Sequence, residues 1–298
     1  MKALPWGKFL TINKGYKHFG YICSMEKLQR LFNFYINASI HVAFGVFALT
    51  HVTIKTFSIQ RDEHLAWFLF FGTIVCYNFI KYGVEAEKYF IVANPYQKNI
   101  QIVSFISFIL GCYHAYFIRV EVWLGIMALV FLTGLYAIPV LPNTKNLRSL
   151  GGLKIFIVAL VWAGATVILP VLGSFKILFW DIWVEAVQRF FFVLLLLIPF
   201  EIRDLKYDNP ELRTLPQRFG VRATQLIGAL LAFLFYLVTF LKDSLSGPEL
   251  IVKTILFLGL LVMMFSFGKN QKKYFASFWV EGIPVVWYVL LVLCLKWY

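Results

Sequence analysis

The chain has 298 residues, of which 60% are hydrophobic, 19% aromatic and only 14% charged, and its mean hydropathy is +0.76. That composition lies far outside the usage of soluble domains and calls for lipid as the solvent. The formal charge of +13 does not point to nucleic acid, because the basic residues are spread over short loops between apolar segments, where topology and anionic lipid headgroups account for them.

The first thirty residues are basic, with no uninterrupted apolar core and no small-residue cleavage site, so no removable signal is read there. Trp6, Phe9, Ile12, Tyr16 and Phe19 lie among its lysines, and this stretch (1–30) reads as an amphipathic segment along the membrane interface. A bilayer core takes roughly 20 apolar residues of helix. Nine such stretches follow, at 34–54, 65–82, 100–118, 122–141, 153–172, 188–203, 222–241, 250–268 and 279–297. The sixth has the softest boundary, because the apolar run Phe190 to Phe200 leads straight into Glu201, Arg203 and Asp204. The expected fold is therefore all-α: one membrane-embedded domain over residues 1–298, a polytopic bundle of nine transmembrane helices. Cys23, Cys76, Cys112 and Cys294 form no C-x-x-C pair and read as packing residues.

Lys and Arg accumulate on the cytoplasmic side of a correctly counted bundle. With the amino terminus inside, alternate loops place twenty of the 28 basic residues inside. Eight fall outside: Lys55, Arg61, Arg119, Lys176, Arg189, Lys242, Lys253 and Lys296. The expected topology is amino terminus in and carboxyl terminus out, in the cytoplasmic membrane of a bacterium.

Ionisable residues near helix ends carry the functional signal in such a chain, since burying them is costly without a partner. The densest group runs from Glu201 through Arg203, Asp204, Lys206, Asp208, Glu211, Arg213 and Arg218 to Gly220. If the sixth helix continues, Glu201, Asp204 and Asp208 fall at i, i+3 and i+7 on one face. Three carboxylates gathered there repel unless a cation sits among them, and oxygen ligands at this spacing suit Mg2+ with a substrate phosphate. The arginines then meet phosphate oxygens. A solvated loop of mixed charge is the alternative reading of the same residues.

This segment resembles the second aspartate-rich motif of the UbiA family of membrane prenyltransferases, N-x-x-D-x-x-x-D followed by T-L-P-x-x-x-G. Asp204 and Asp208 stand at the aspartates, Thr214-Leu-Pro216-Gln-Arg-Phe-Gly220 matches the run, and Glu201 replaces the asparagine. Between the fourth and fifth segments, Tyr136-Ala-Ile-Pro139 with Lys145, Arg148 and Lys154 resembles the family's tyrosine-plus-basic loop. A helix end stopped by Pro139 and Pro142, with the basic residues on lipid phosphates, stays open beside it.

The first motif departs from the family. Where N-D-x-x-D-x-x-x-D is expected, the chain keeps Asn78 but places Phe79, Tyr82 and Ala86 at the aspartates, with Lys81 between them and Glu85 one position off. The expectation for this end is that Lys81 replaces one metal ion and contacts a diphosphate directly, while one Mg2+ stays with Asp204 and Asp208. Snorkelling of Lys81 to the headgroups is the alternative.

Elsewhere, His41 and His51 are ten residues apart, about 80° around a helix, and read as core histidines. Asn33 and Asn37 share a face and read as interhelical hydrogen-bonders.

The resemblance implies a transferase that moves an isoprenoid group from a prenyl diphosphate to a lipophilic acceptor. Asp204 and Asp208 would be catalytic, with Glu201 joining them on Mg2+. Asn78, Lys81, Lys145, Arg148, Arg203 and Arg213 would bind the substrate. A catalytically silent relative that binds a lipid or a partner protein is the runner-up, on the strength of the missing aspartates. A secondary transporter comes third, because ionisable residues are expected at helix ends and not at helix centres.

Overall fold

A computed structural model describes residues 26–60, 62–83, 94–137, 152–174, 178–208 and 210–297, and among these all regular structure is helical. Helix α1 (Glu26–Asn37) is bent by 55° against α2 (Ile40–Thr56). The break is at Ser39, whose backbone is left-handed (φ 60°). Helix α3 (Glu63–Asn78) runs on as a wider π turn, Phe79–Gly83. Then follow α4 (Pro95–Tyr116), α5 (Val120–Ala137) and α6, which is Leu153–Ala163 continued through a π turn into Leu169–Gly173. The last four are α7 (Trp180–Asp204), α8 (Leu215–Val238), α9 (Gly247–Phe265) and α10, a π segment Phe275–Val280 continued as Glu281–Trp297.

Local chemistry sets several helix starts. Asp62 accepts from Leu65 N–H at 3.0 Å, Asn94 from Tyr96 N–H at 2.9 Å just before Pro95, and Ser246 from Glu249 N–H at 3.3 Å. Large apolar side chains such as Ile109, Leu124, Phe131 and Val262 face outward, which is the arrangement lipid permits and water does not.

Each of the nine expected stretches contains a helix among the described residues. By length and apolarity, however, six helices can cross a membrane, or seven if α1 and α2 form one bent span. Helix α4 falls short because Gln97, Lys98, Asn99 and Gln101 crowd its first turns, and Val120–Tyr136 is short. The chain is an integral multi-pass membrane protein.

Two sequence expectations change. The sixth stretch begins at Trp180 and not at 188, so α7 is 25 residues long. Its added turns bring Glu185 inside the bundle beside Arg189, with neither side chain exposed. Arg189, Lys242 and Lys253, counted with the outer side, instead surround two acids. Glu185 meets Arg189 at 3.1 Å, Lys242 at 2.7 Å and Lys253 at 2.9 Å, while Glu249 pairs with both lysines. The Arg189 guanidinium also donates to Leu49 O and Thr166 Oγ1 and lies 4.7 Å from the Trp287 ring centroid. Burial works against the charge on Lys242, but Glu185 and Glu249 outweigh it and hold the ammonium above the ordinary lysine range. Buried charges survive in this way only when paired and hydrogen-bonded. Glu185 and Arg189 stand in the first ten residues of α7, and Glu249 and Lys253 in the first seven of α9, so this charged network is buried near the helix starts and not at their centres.

Around this network α7 packs on α6 and α8, and α8 on α9. Gly228 lets α8 approach closely, because a Cβ there would collide with Met264 of α9 and crowd Ile198 of α7.

Candidate functional site

At the other end of α7 lies a cavity of about 840 Å3, walled by α1, α2, α3, α6, α7 and α10 and closed in part by Tyr96 and Tyr136. Its composition is divided. Arg30, Lys81, Lys154, Arg203 and Lys273 contribute cationic groups and Glu201, Asp204 and Glu281 acidic ones, an excess of two positive charges. The remaining wall is largely apolar, including Val158, Trp162, Val193, Leu196, Leu197 and Phe200.

The break between α1 and α2 builds one corner. Ser39, forced out of helical geometry, donates its hydroxyl to Asn78 Oδ1 at 2.8 Å and accepts from Lys81 Nζ at 3.0 Å. The π turn after Asn78 carries Lys81 toward that corner. Asn78 is fully spent in the process: its amide nitrogen donates to Ala38 O at 3.1 Å and to Ser104 Oγ at 2.9 Å, and the residue is 1% exposed. It positions Lys81 through Ser39 and does not face the cavity.

The opposite corner is the end of α7. Helix geometry stops at Asp204, and Asp208 follows in the turn, its N–H donating to Asp204 O at 2.9 Å. Arg203 Nε and Nη2 grip the two Asp204 carboxylate oxygens at 2.7 and 3.1 Å. Lys154, from the first turn of α6, reaches Glu201 Oε1 at 2.7 Å and Asp208 Oδ2 at 3.7 Å. Two of the three carboxylates, Glu201 and Asp208, therefore share an ammonium, while Asp204 is held by Arg203. Among the described residues no three His, Cys, Asp or Glu side chains gather as metal ligands.

The T-L-P-x-x-x-G run explains itself structurally. Thr214 starts α8, its N–H donating to Gln217 Oε1 at 2.9 Å, with Pro216 in the first turn. Gln217 Nε2 reaches back to Asp208 O at 3.5 Å. Gly220 kinks the helix at φ 78° and ψ 168°, a region entered almost only by glycine and costing other residues on the order of 1–3 kcal/mol. The run orients the loop that carries Asp208.

Of the expected site residues, Lys81, Glu201, Arg203 and Asp204 line the cavity, while Asn78, Asp208 and Arg213 do not. Arg213 is exposed, with φ 48°. Lys145, Arg148, Glu85 and Ala86 lie outside the described residues. Sequence reasoning missed Arg30, Lys273 and Glu281 as cavity residues. Glu281 stands where the π segment of α10 turns into α-helix, within the electrostatic field of Lys81 and Arg203. An ionisable residue inside an apolar span was the available signal.

The remaining candidates meet their expected fates. His41 is held between Tyr35 OH and Phe278 O at 2.8 Å each. Asn33 accepts from Tyr274 OH at 2.7 Å, and Asn37 donates to Tyr96 OH at 2.8 Å, both between helices.

No protein-family profile matches the sequence, and no curated protein matches it. Solved structures do match the fold. A digeranylgeranylglyceryl phosphate synthase superposes with a TM-score of 0.53 at 14% identity, over 89% of this chain and 97% of that one. A UbiA homologue from Archaeoglobus fulgidus bound to GPP and Mg2+ gives 0.55 at 13% identity, over 88% and 99%. The same homologue bound to DMAPP and Mg2+ gives 0.54. The chain thus has the fold of the UbiA-type membrane prenyltransferases.

Among the described residues no ligand set is assembled for the Mg2+ bound in two of those neighbours. Lys154 sits against Glu201 and Asp208, Arg203 holds Asp204, and the first motif offers Phe79 and Tyr82 where carboxylates are expected.

Proposed function

We propose that this protein is a divergent UbiA-like protein that binds a prenyl diphosphate in the 840 Å3 cavity and transfers its isoprenoid group to a lipophilic acceptor inside the membrane. The carrying observation is the division of the cavity into a cationic end and an apolar end, which matches a diphosphate joined to a hydrocarbon tail. Lys81 and Arg203 neutralise the diphosphate as the allylic C–O bond breaks and the bonding pair leaves with it. Trp162 and Tyr77, joined by an indole N–H bond to the phenol at 3.0 Å, present aromatic faces to the cation that forms. The acceptor then bonds to that carbon and gives up its proton to the released diphosphate. The apolar wall excludes water, which would otherwise capture the cation.

Equilibrium binding in detergent tests the reading. Geranyl diphosphate should bind at least 100-fold more tightly than geraniol, and equal binding of the two would remove it. Release of pyrophosphate in the presence of lipophilic phenols or glycerol-phosphate ethers would separate a transferase from the second reading, a silent relative that only holds the ligand. The replacement of carboxylates by Phe79 and Tyr82 favours that second reading.

Orientation belongs to the same proposal. Three of the eight basic residues counted outside, Arg189, Lys242 and Lys253, are consumed by the buried network, so the asymmetry of loop charge is sharper than the count suggested. A reporter fused after Tyr298 should be active only on the outer face, and one before residue 30 only on the cytoplasmic face. Reporter activity on one and the same side would refute an odd number of crossings.

A further inference from the structure

We propose that Lys154 is a covalently tethered cation standing where a metal ion would sit between Glu201 and Asp208, so that the cavity takes the diphosphate end of its ligand without a divalent metal. The part of this that concerns the ligand rests on the function proposed above; the part that concerns the cation does not.

The geometry is that of one positive charge, carried by α6, shared by two acids at the end of α7 and in the turn after it. The ammonium lies 2.7 Å from Glu201 Oε1 and 3.7 Å from Asp208 Oδ2, and Glu201 is 4% exposed. Two buried carboxylate oxygens here, Glu201 Oε2 and Asp208 Oδ2, have no hydrogen-bond donor among the described residues. Buried carboxylates without donors are costly unless a nearby charge compensates, and Lys154 is that charge. Asp204, the third acid of the motif, is closed by both nitrogens of the Arg203 fork. A divalent ion entering this place would have to displace an ammonium that cannot diffuse away, and would meet its repulsion throughout.

The opposite corner tells the same story independently. There the chain carries Lys81 among Phe79 and Tyr82, and its ammonium is anchored on Ser39. Both corners of the cavity thus present a fixed amine. A site that draws its positive charge from amines binds phosphate oxygens directly, because an ammonium offers three donors and no coordination geometry to satisfy.

The decisive experiment uses the full chain in detergent and Mn2+ alone, followed by electron paramagnetic resonance, with no diphosphate present. Wild type should bind Mn2+ at this site at least tenfold more weakly than Lys154→Ala and Lys154→Met, and the second change Glu201→Gln should abolish the gained binding. The methionine variant keeps the aliphatic stem, so a folding defect in the alanine variant does not decide the outcome. Equal Mn2+ binding by wild type and both variants, or no gain in either, overturns the proposal. Geranyl diphosphate supplies the second arm. Its affinity for wild type should change less than twofold between EDTA and 1 mM Mg2+, on the order of a single weak ionic effect, whereas Lys154→Met should gain at least tenfold from Mg2+. Binding by wild type only with Mg2+ overturns the proposal. Absence of geranyl diphosphate binding under both conditions refutes the proposed function, and the Mn2+ result still decides the role of Lys154.

Discussion

Glu185→Gln is expected to destabilise the protein by about 3–5 kcal/mol, the cost of breaking a buried ion pair by removing one partner. Glutamine keeps the size of the side chain, so packing barely changes. The electrostatics change sharply: Arg189, Lys242 and Lys253 all meet Glu185 within 3.1 Å, and among the described residues Glu249 is the one acid left in direct contact with the lysines. Neither water nor lipid headgroups reach this place, since Glu185 and Arg189 are fully buried. Unfolding followed by circular dichroism in detergent micelles would measure the loss. The double variant Glu185→Gln with Lys253→Met should recover part of it, because one surplus cation leaves with the acid and coupled sites are non-additive. An unchanged midpoint for Glu185→Gln would mean that the network contributes nothing to stability.

The second large effect is on ligand binding. Lys81→Ala and Arg203→Ala should each weaken geranyl diphosphate binding by about 1.5–3 kcal/mol, the scale of a hydrogen bond to a charged group. Together they should weaken it by about 3–5 kcal/mol, at least a hundredfold. Arg203 weighs more than its own contact, because its removal also uncovers Asp204 and turns a neutral pair into a negative charge facing the phosphate. Lys206→Ala is the control: that lysine is outside the cavity and bonds Asn270 Oδ1 at 2.7 Å, so its loss should move binding by less than about 0.5 kcal/mol. Isothermal titration of wild type and the four variants would check this. A double variant that binds as wild type does would place the phosphate elsewhere.

Composition and the length of apolar runs were enough to read a helical membrane bundle, because lipid forces every backbone group to be satisfied within a helix and so imposes long apolar stretches that a window detects. The likeness of the Asp204 to Gly220 segment to a UbiA motif pointed to the fold that the solved structures share. Lys81 and Arg203 were legible as cavity residues for the same reason: a charged side chain at the end of an apolar helix has few places to go. What spacing along the chain could not reveal was which charge meets which. The i, i+3, i+7 argument assumed that helix α7 continues, whereas it ends at Asp204. Lys154 is 47 positions from Glu201 in the sequence and 2.7 Å from it in space. Arg189, Lys242 and Lys253 were counted as charges of the outer side because hydropathy counts residues one helix at a time. Only the packing of α7 against α8 and α9 puts Glu185 and Glu249 beside them, and a buried charge is tolerated by virtue of partners that lie on other helices.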